Sequence, residues 1–159
     1  MARPGSAGMT AASAPAARVI PTPQTFLSFD YGRKRTGVAS GNRSFGMATP
    51  LTTVAAEGDA RFAPIARLIA EWQPDALVVG VPRHPDGAPH DNTRLAQRFA
   101  RQLHGRFRLP VFEVDERYST TEVLAAGARD ADAAAAALLL EQYFRESADR
   151  AAQAAKEPT

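Results

Sequence analysis

Cysteine is absent from the 159 residues, which excludes disulfide staples and thiolate zinc sites and allows a reducing cytosol. No apolar run approaches the roughly 20 residues that span a bilayer, so no membrane helix is expected. Lysine is scarce: Arg supplies seventeen of the nineteen cations, a bias that favours bidentate phosphate contacts over point charges. Net charge is only +2, too little to steer the whole molecule strongly towards nucleic acid. Histidine is confined to His84, His90 and His104, which leaves Ser119 and Thr120 with no partner at a readable spacing and a hydrolase triad without support. His84 and His90 have no thiolate companions and read as exposed or phosphate-adjacent side chains, not zinc ligands. No internal repeat is visible.

What is present divides the chain into three parts. Residues 1–24 are dominated by Ala, Pro, Ser and Gly, with Arg3 and Arg18 the only charges. Such a segment buries too little surface to offset its ordering entropy, and Pro4, Gly5, Pro15 and Pro21 interrupt the apolar core of a secretory leader. The expectation is a disordered N-terminal extension. Residues 25–148 carry the apolar periodicities of one folded domain, and 149–159 read as a flexible tail.

Within the domain, strands are expected at Thr25–Asp30, Thr36–Asn42 and Met47–Ala55, the last with Pro50 marking an edge or bulge. Phe62, Ile65, Leu68, Ile69 and Trp72 recur at helical spacing, with Asp59 as the expected N-cap and Pro74 as the stop. Ala76–Val81 is a continuous apolar run typical of a strand buried on both faces. A Pro- and Gly-rich loop over 82–92 leads to a helix near 92–107 striped by Leu95, Phe99, Leu103 and Phe107. Residues 110–114 form a fifth strand; Ser119 to Glu122 open a helix, and a final helix runs over about 131–146, capped near Asp130 or Asp132. An antiparallel meander followed by crossover-linked strands is α/β with a mixed five-stranded sheet flanked by helices, the organisation of the ribonuclease H-like fold.

The most informative stretch is 26–39, where an apolar strand delivers Asp30 to its end and the chain turns through Gly32 and Gly37 with Arg33, Lys34 and Arg35 close by. A carboxylate at a strand end, ringed by cations and backbone N–H groups, suits a divalent metal plus phosphate. A polar β-hairpin turn is the alternative. Asp115 and Glu116 end the fifth strand and Asp132 opens the last helix, so three distant segments bring carboxylates to the carboxyl edge of the sheet, where ligands of open α/β sheets gather. Converging carboxylates repel unless a hard cation sits between them. Taken singly, Asp132 could be a helix cap, and Asp115 and Glu116 could pair with Arg117 on the surface. Between Arg83 and Arg108, six arginines face two acids, which reads either as a phosphate-facing surface or as an Arg-rich solvated helix.

Phe29-Asp30-Tyr31-Gly32-Arg33-Lys34-Arg35-Thr36-Gly37-Val38-Ala39, Ala48-Thr49-Pro50-Leu51, Val79-Gly80-Val81-Pro82 with Asp86-Gly87, Asp115-Glu116-Arg117-Tyr118-Ser119-Thr120-Thr121, and Asp132 before Ala134 and Ala136 together resemble the YqgF (RuvX) family over about residues 25–146. That resemblance implies a ribonuclease H-like fold related to the RuvC resolvases, in a bacterial cytoplasmic family described as pre-16S rRNA processing nucleases and formerly as Holliday junction resolvases. It implies Asp30, Glu116 and Asp132 as metal-binding catalytic carboxylates for Mg²⁺ or Mn²⁺. Lys34, Arg35 and Arg117 would contact the nucleic-acid backbone. Two departures stand out: the segment from Glu122 to Ala131 is shorter than the basic loop common in the family, and Arg83-His84-Pro85 replaces aliphatic and amide residues after the Gly-x-Pro turn.

The expected activity is metal-dependent endonucleolytic processing of the 5′ end of pre-16S rRNA, with ribosomal precursor particles as possible partners and either a monomer or a homodimer as the working form. A resolvase acting on branched DNA is the alternative within the same chemistry, and it needs two active sites. A non-catalytic nucleic-acid scaffold would gain nothing from clustered anions beside phosphates. An actin- or sugar-kinase-type ATPase, which shares the Asp-x-Gly hairpin, needs two such domains where this chain has length for one.

Overall fold

A computed structural model describes residues 22–82, 91–116 and 130–156. Five strands, β1 (Thr25–Tyr31), β2 (Thr36–Asn42), β3 (Met47–Val54), β4 (Ala76–Val81) and β5 (Val111–Asp115), form one sheet of order β3-β2-β1-β4-β5. The meander β1-β2-β3 is antiparallel, whereas β4 pairs in parallel with β1 and β5. Helices α1 (Phe62–Trp72), α2 (Asp91–Phe107) and α3 (Ala131–Lys156) complete the described fold.

The central strands β1 and β4 are largely apolar on both sides because both faces of the sheet are covered there. Leu27, Phe29, Leu77 and Val79 pack with Phe62, Ile65, Phe99 and Leu103 of α1 and α2. Their neighbours Phe26, Ala76 and Val78 pack with Leu139, Leu140, Tyr143 and Phe144 of α3. Burying these two clusters is the main force holding the sheet between its helices. Pro50 lies on the edge strand β3, where the pairing slips between Val38 and Ala39 as a bulge.

Three local expectations are corrected. Asp59 does not cap α1: a 3₁₀ turn over Gly58–Arg61 comes first, and no side chain caps either segment. The Asp59 carboxylate instead lies 3.9 Å from Arg106. The buried stripe of α2 is Thr93, Ala96, Phe99, Ala100 and Leu103, with Leu95 and Phe107 only half-buried. Finally, α3 continues past Glu146 to Lys156, through the stretch expected as a flexible tail, because Ala148, Ala151, Ala152 and Ala154 are strong helix formers. The other end of α1 is as expected: Gln73 adopts a left-handed conformation with its N–H donating to the Ile69 carbonyl, and Pro74 follows. The loop over 83–90, the Ser119–Glu122 helix start, Arg117 and the extension before Thr22 lie outside the described residues.

Candidate active site

Asp30 stands one residue before the end of β1, half-buried, paired across β2 with Gly37 and across β4 with Gly80. Two residues earlier, the Ser28 hydroxyl donates to the Ala136 carbonyl of α3 at 2.7 Å, so strand alternation turns Asp30 to the α3 face as well.

Gly37 determines how closely α3 approaches that position. A Cβ at Gly37 would lie 1.8 Å from the Asp132 carbonyl oxygen and 2.9 Å from the Ala133 nitrogen. Only glycine leaves room for the first turn of α3 to rest on β2 beside Asp30. Gly80 plays a related part, since a Cβ there would collide with the Leu139 side chain at 2.4 Å. The close approach at Gly80 is therefore made by a helix side chain of the core, on the same α3 face that Asp30 occupies.

Asp132 is the second residue of α3 and does not cap it. Asp130 does: its Oδ1 accepts the Ala133 N–H at 3.2 Å, and its carbonyl accepts the Ala134 N–H at 3.0 Å. The Thr53 hydroxyl of β3 also donates to Asp130 Oδ1. The Asp132 carboxylate is thus available for another purpose, and Arg35 Nε donates to its Oδ2 at 3.0 Å.

Glu116 follows β5 directly. Its N–H donates to the Val81 carbonyl at 3.2 Å, extending the ladder with β4 by one residue. Val114 packs against α3, and alternation carries Glu116 to that same face, half-buried. The exposed side chain of Asp115 is sent to the other face, while its carbonyl accepts from Gln142 Nε2 of α3 at 2.6 Å. Of the acidic pair, Glu116 is therefore the residue that shares the α3 face with Asp30.

Asp30, Glu116 and Asp132 consequently share one face at the carboxyl edge of the sheet. All their donors are carboxylate oxygens, the set a hard divalent cation prefers. Register puts Asp30 and Glu116 two strands and two residues apart, about 12 Å between Cα positions at ~4.8 Å per strand and ~3.3 Å per residue. Among the described residues, no group of three or more Asp, Glu or His side chains stands assembled to hold a metal. The donor chemistry fits the ion, while the three carboxylates are not drawn around one point and Asp132 is engaged by Arg35.

Around these carboxylates, Arg33, Lys34 and Arg35 are exposed on the turn between β1 and β2. Sequence reasoning missed the residue beneath that turn. Arg61 is 2% exposed, its Nη1 donates to the Gly32 carbonyl and the Thr36 hydroxyl, and its Nη2 donates to the Arg33 carbonyl, each at 2.8 Å. No signal in Gly58-Asp59-Ala60-Arg61-Phe62 separates a buried arginine from a solvated one.

A mixed sheet in this order, covered on both faces and carrying carboxylates at its carboxyl edge, is a ribonuclease H-like fold. Thermus thermophilus RuvC in complex with a Holliday junction substrate has the same fold, with a TM-score of 0.51 over 78% of this chain and 96% of that one at 15% identity. The family model of RuvX, described as Holliday junction resolvase, matches residues 24–146, and the chain belongs to that family. Two relatives, both named "Putative pre-16S rRNA nuclease", show how close its members come. The Albidiferax ferrireducens protein is 69% identical over 77% of this chain and 78% of its own length, and the Polaromonas sp. protein 66% identical over 77% and 88%. The family description and the relatives' names alike are those of nucleases.

Proposed function

We propose that this chain is a metal-dependent endonuclease that trims the 5′ end of pre-16S rRNA, with Asp30, Glu116 and Asp132 as its catalytic carboxylates. The observation that carries the reading is the shared face: three carboxylates from β1, the end of β5 and the start of α3 turn to one edge, and Gly37 lets the last approach the first. The substrate is drawn from the relatives, whose names specify pre-16S rRNA. Asp30, Glu116 and Asp132 would hold Mg²⁺ or Mn²⁺. Such an ion, when bound, activates water at neutral pH and neutralises charge on the leaving oxygen. Lys34 and Arg35, together with Arg117, would neutralise backbone phosphates and set the strand's register over the carboxylates. A cytoplasmic location goes with that proposed substrate; separately, no helix among the described residues is long and apolar enough to cross a membrane.

A resolvase acting on branched DNA is the second reading, favoured by the RuvX family description and by the RuvC fold. It demands a homodimer with two active sites, whereas rRNA trimming is open to a monomer. Cleavage in Mg²⁺ or Mn²⁺ of a 5′-extended pre-16S fragment and a four-way DNA junction, side by side, separates the two. Cutting of the RNA alone, lost in Asp30→Asn, is the expected result. Symmetric cutting of the junction alone would replace it with the resolvase, and silence on both substrates would leave a binding scaffold.

A further inference from the structure

The β1–β2 turn presents three cations in succession, Arg33, Lys34 and Arg35, and it sits on a fourth. Arg61 lies beneath it with its guanidinium shared among neutral oxygens. Nε donates to the Gly58 carbonyl at 3.0 Å, Nη1 to the Gly32 carbonyl and Thr36 hydroxyl, and Nη2 to the Arg33 carbonyl. The Tyr31 ring, next in sequence to Asp30, lies under the guanidinium carbon at 4.4 Å. A buried cation below a cationic turn is electrostatically costly, and its four hydrogen bonds to oxygen, with the Tyr31 ring, offset that cost.

That arrangement has a mechanical consequence. Gly32 and Arg33 would otherwise turn their carbonyls to water, and the turn would be held only by the two strands it joins and by the exposed Arg35–Asp132 pair. The planar fork of Arg61 ties both carbonyls, and Thr36 at the head of β2, to the 3₁₀ turn before α1. Lysine, a point donor, cannot reach oxygens spread around a plane in this way.

We infer that Arg61 is a positioning residue for the substrate-gripping turn: it fixes the turn from behind so that Lys34 and Arg35 meet phosphates already in place. The inference rests on the nucleic-acid reading of this edge. Ordering the turn during folding removes that cost from binding, which is where the clamp improves affinity.

Two measurements test it. In hydrogen–deuterium exchange without nucleic acid, Arg61→Met accelerates exchange across 31–37 by about tenfold or more while β4 amides stay protected, and Arg61→Lys falls between. Unchanged exchange in the turn overturns the clamp. In EDTA, binding of a fluorescein-labelled RNA hairpin is then followed against salt. Arg61→Met weakens binding by about tenfold at every salt concentration with the slope of log K on log salt unchanged, because Lys34 and Arg35 still reach phosphates once bound, whereas Lys34→Ala/Arg35→Ala lowers that slope by about 1.5; an unchanged affinity in Arg61→Met overturns the inference.

Combining all three substitutions adds nothing further if Arg61 acts through those cations, whereas additive losses overturn the inference. Failure of the wild-type protein to bind RNA would overturn the functional reading instead, and the exchange data would still decide the clamp. Should Arg61→Met not fold, ¹⁵N-arginine spectra of the wild-type protein decide the matter. Hindered rotation about the Arg61 Cζ–Nη bonds, seen as separate Nη signals, supports the clamp, and rotation as fast as in exposed arginines overturns it.

Discussion

Arg35 Nε and Asp132 Oδ2 meet at 3.0 Å across ninety-seven residues of sequence, joining the turn after β1 to the first turn of α3. The pair is open to solvent, with side chains 65% and 36% exposed, so it contributes little to stability and can be exchanged. A cation is already placed where the carboxylate edge would otherwise repel itself.

Removing that cation should help a metal and hinder a substrate. Arg35→Ala is expected to raise Mn²⁺ affinity by up to about fivefold, matching the ~1 kcal/mol upper range of an exposed pair, while weakening RNA binding. Isothermal titration with Mn²⁺ checks the first effect, and unchanged or lower affinity would show that Arg35 does not compete for Asp132.

Asp130 and Asp132, two residues apart, should separate stability from activity. Asp130→Ala loses the cap on Ala133 and is expected to cost about 1 kcal/mol in urea unfolding. Asp132→Asn should leave the unfolding midpoint nearly unchanged and remove metal-dependent cleavage. The opposite pattern would return Asp132 to the role of a simple cap.

Gly37→Ala places a methyl group on the Asp132 backbone, where nothing flexible can give way. The expected loss is about 2–4 kcal/mol in denaturant unfolding, in the range of severe overpacking. Gly105→Ala on α2, with nothing within 4 Å of the added methyl, should instead gain about 0.5–1 kcal/mol.

Asp75 anchors the start of β1 and gives the fold a pH-dependent contribution. Backbone N–H groups of Gln24 and Thr25 donate to its carboxylate and hold its pKa below the ordinary value of 3.8. Because the folded pKa is the lower one, the stabilisation is complete above the unfolded value and is lost as pH falls through the folded one. Asp75→Asn should therefore be less stable than wild type at pH 7, and the difference should close as pH falls below the ordinary 3.8 and through the lowered folded-state pKa in chemical unfolding. A difference that persists undiminished at low pH would contradict this account.

Most of the sheet was legible because both its faces are buried: continuous runs such as Ala76–Val81 leave little choice of structure. Asp30 was legible from its place at a strand end beside glycine and cations. Which of Asp115 and Glu116 faces α3, and which of Asp130 and Asp132 caps it, could not be read from spacing; only the family resemblance pointed to Glu116 and Asp132. Each depends on a one- or two-residue register fixed by distant contacts: the Glu116 N–H on Val81, and Thr53 with Gly37 against the start of α3. Arg61 was invisible for a related reason, since its acceptors at Gly32, Arg33 and Thr36 are brought to it only by the folded chain. Asp59 misled because a good capping residue stood before a helical period, and the Gly58–Arg61 turn took its place.

The most direct test is the Mn²⁺-dependent cleavage rate of a 5′-extended pre-16S fragment by Asp30→Asn, Glu116→Gln and Asp132→Asn, with Asp115→Asn as the neighbouring control. A fall of at least about a hundredfold is expected in each of the first three, from the loss of several kcal/mol of transition-state stabilisation, and little change in the control. Wild-type cleavage by any of the three, or its loss in Asp115→Asn alone, would contradict the site described above.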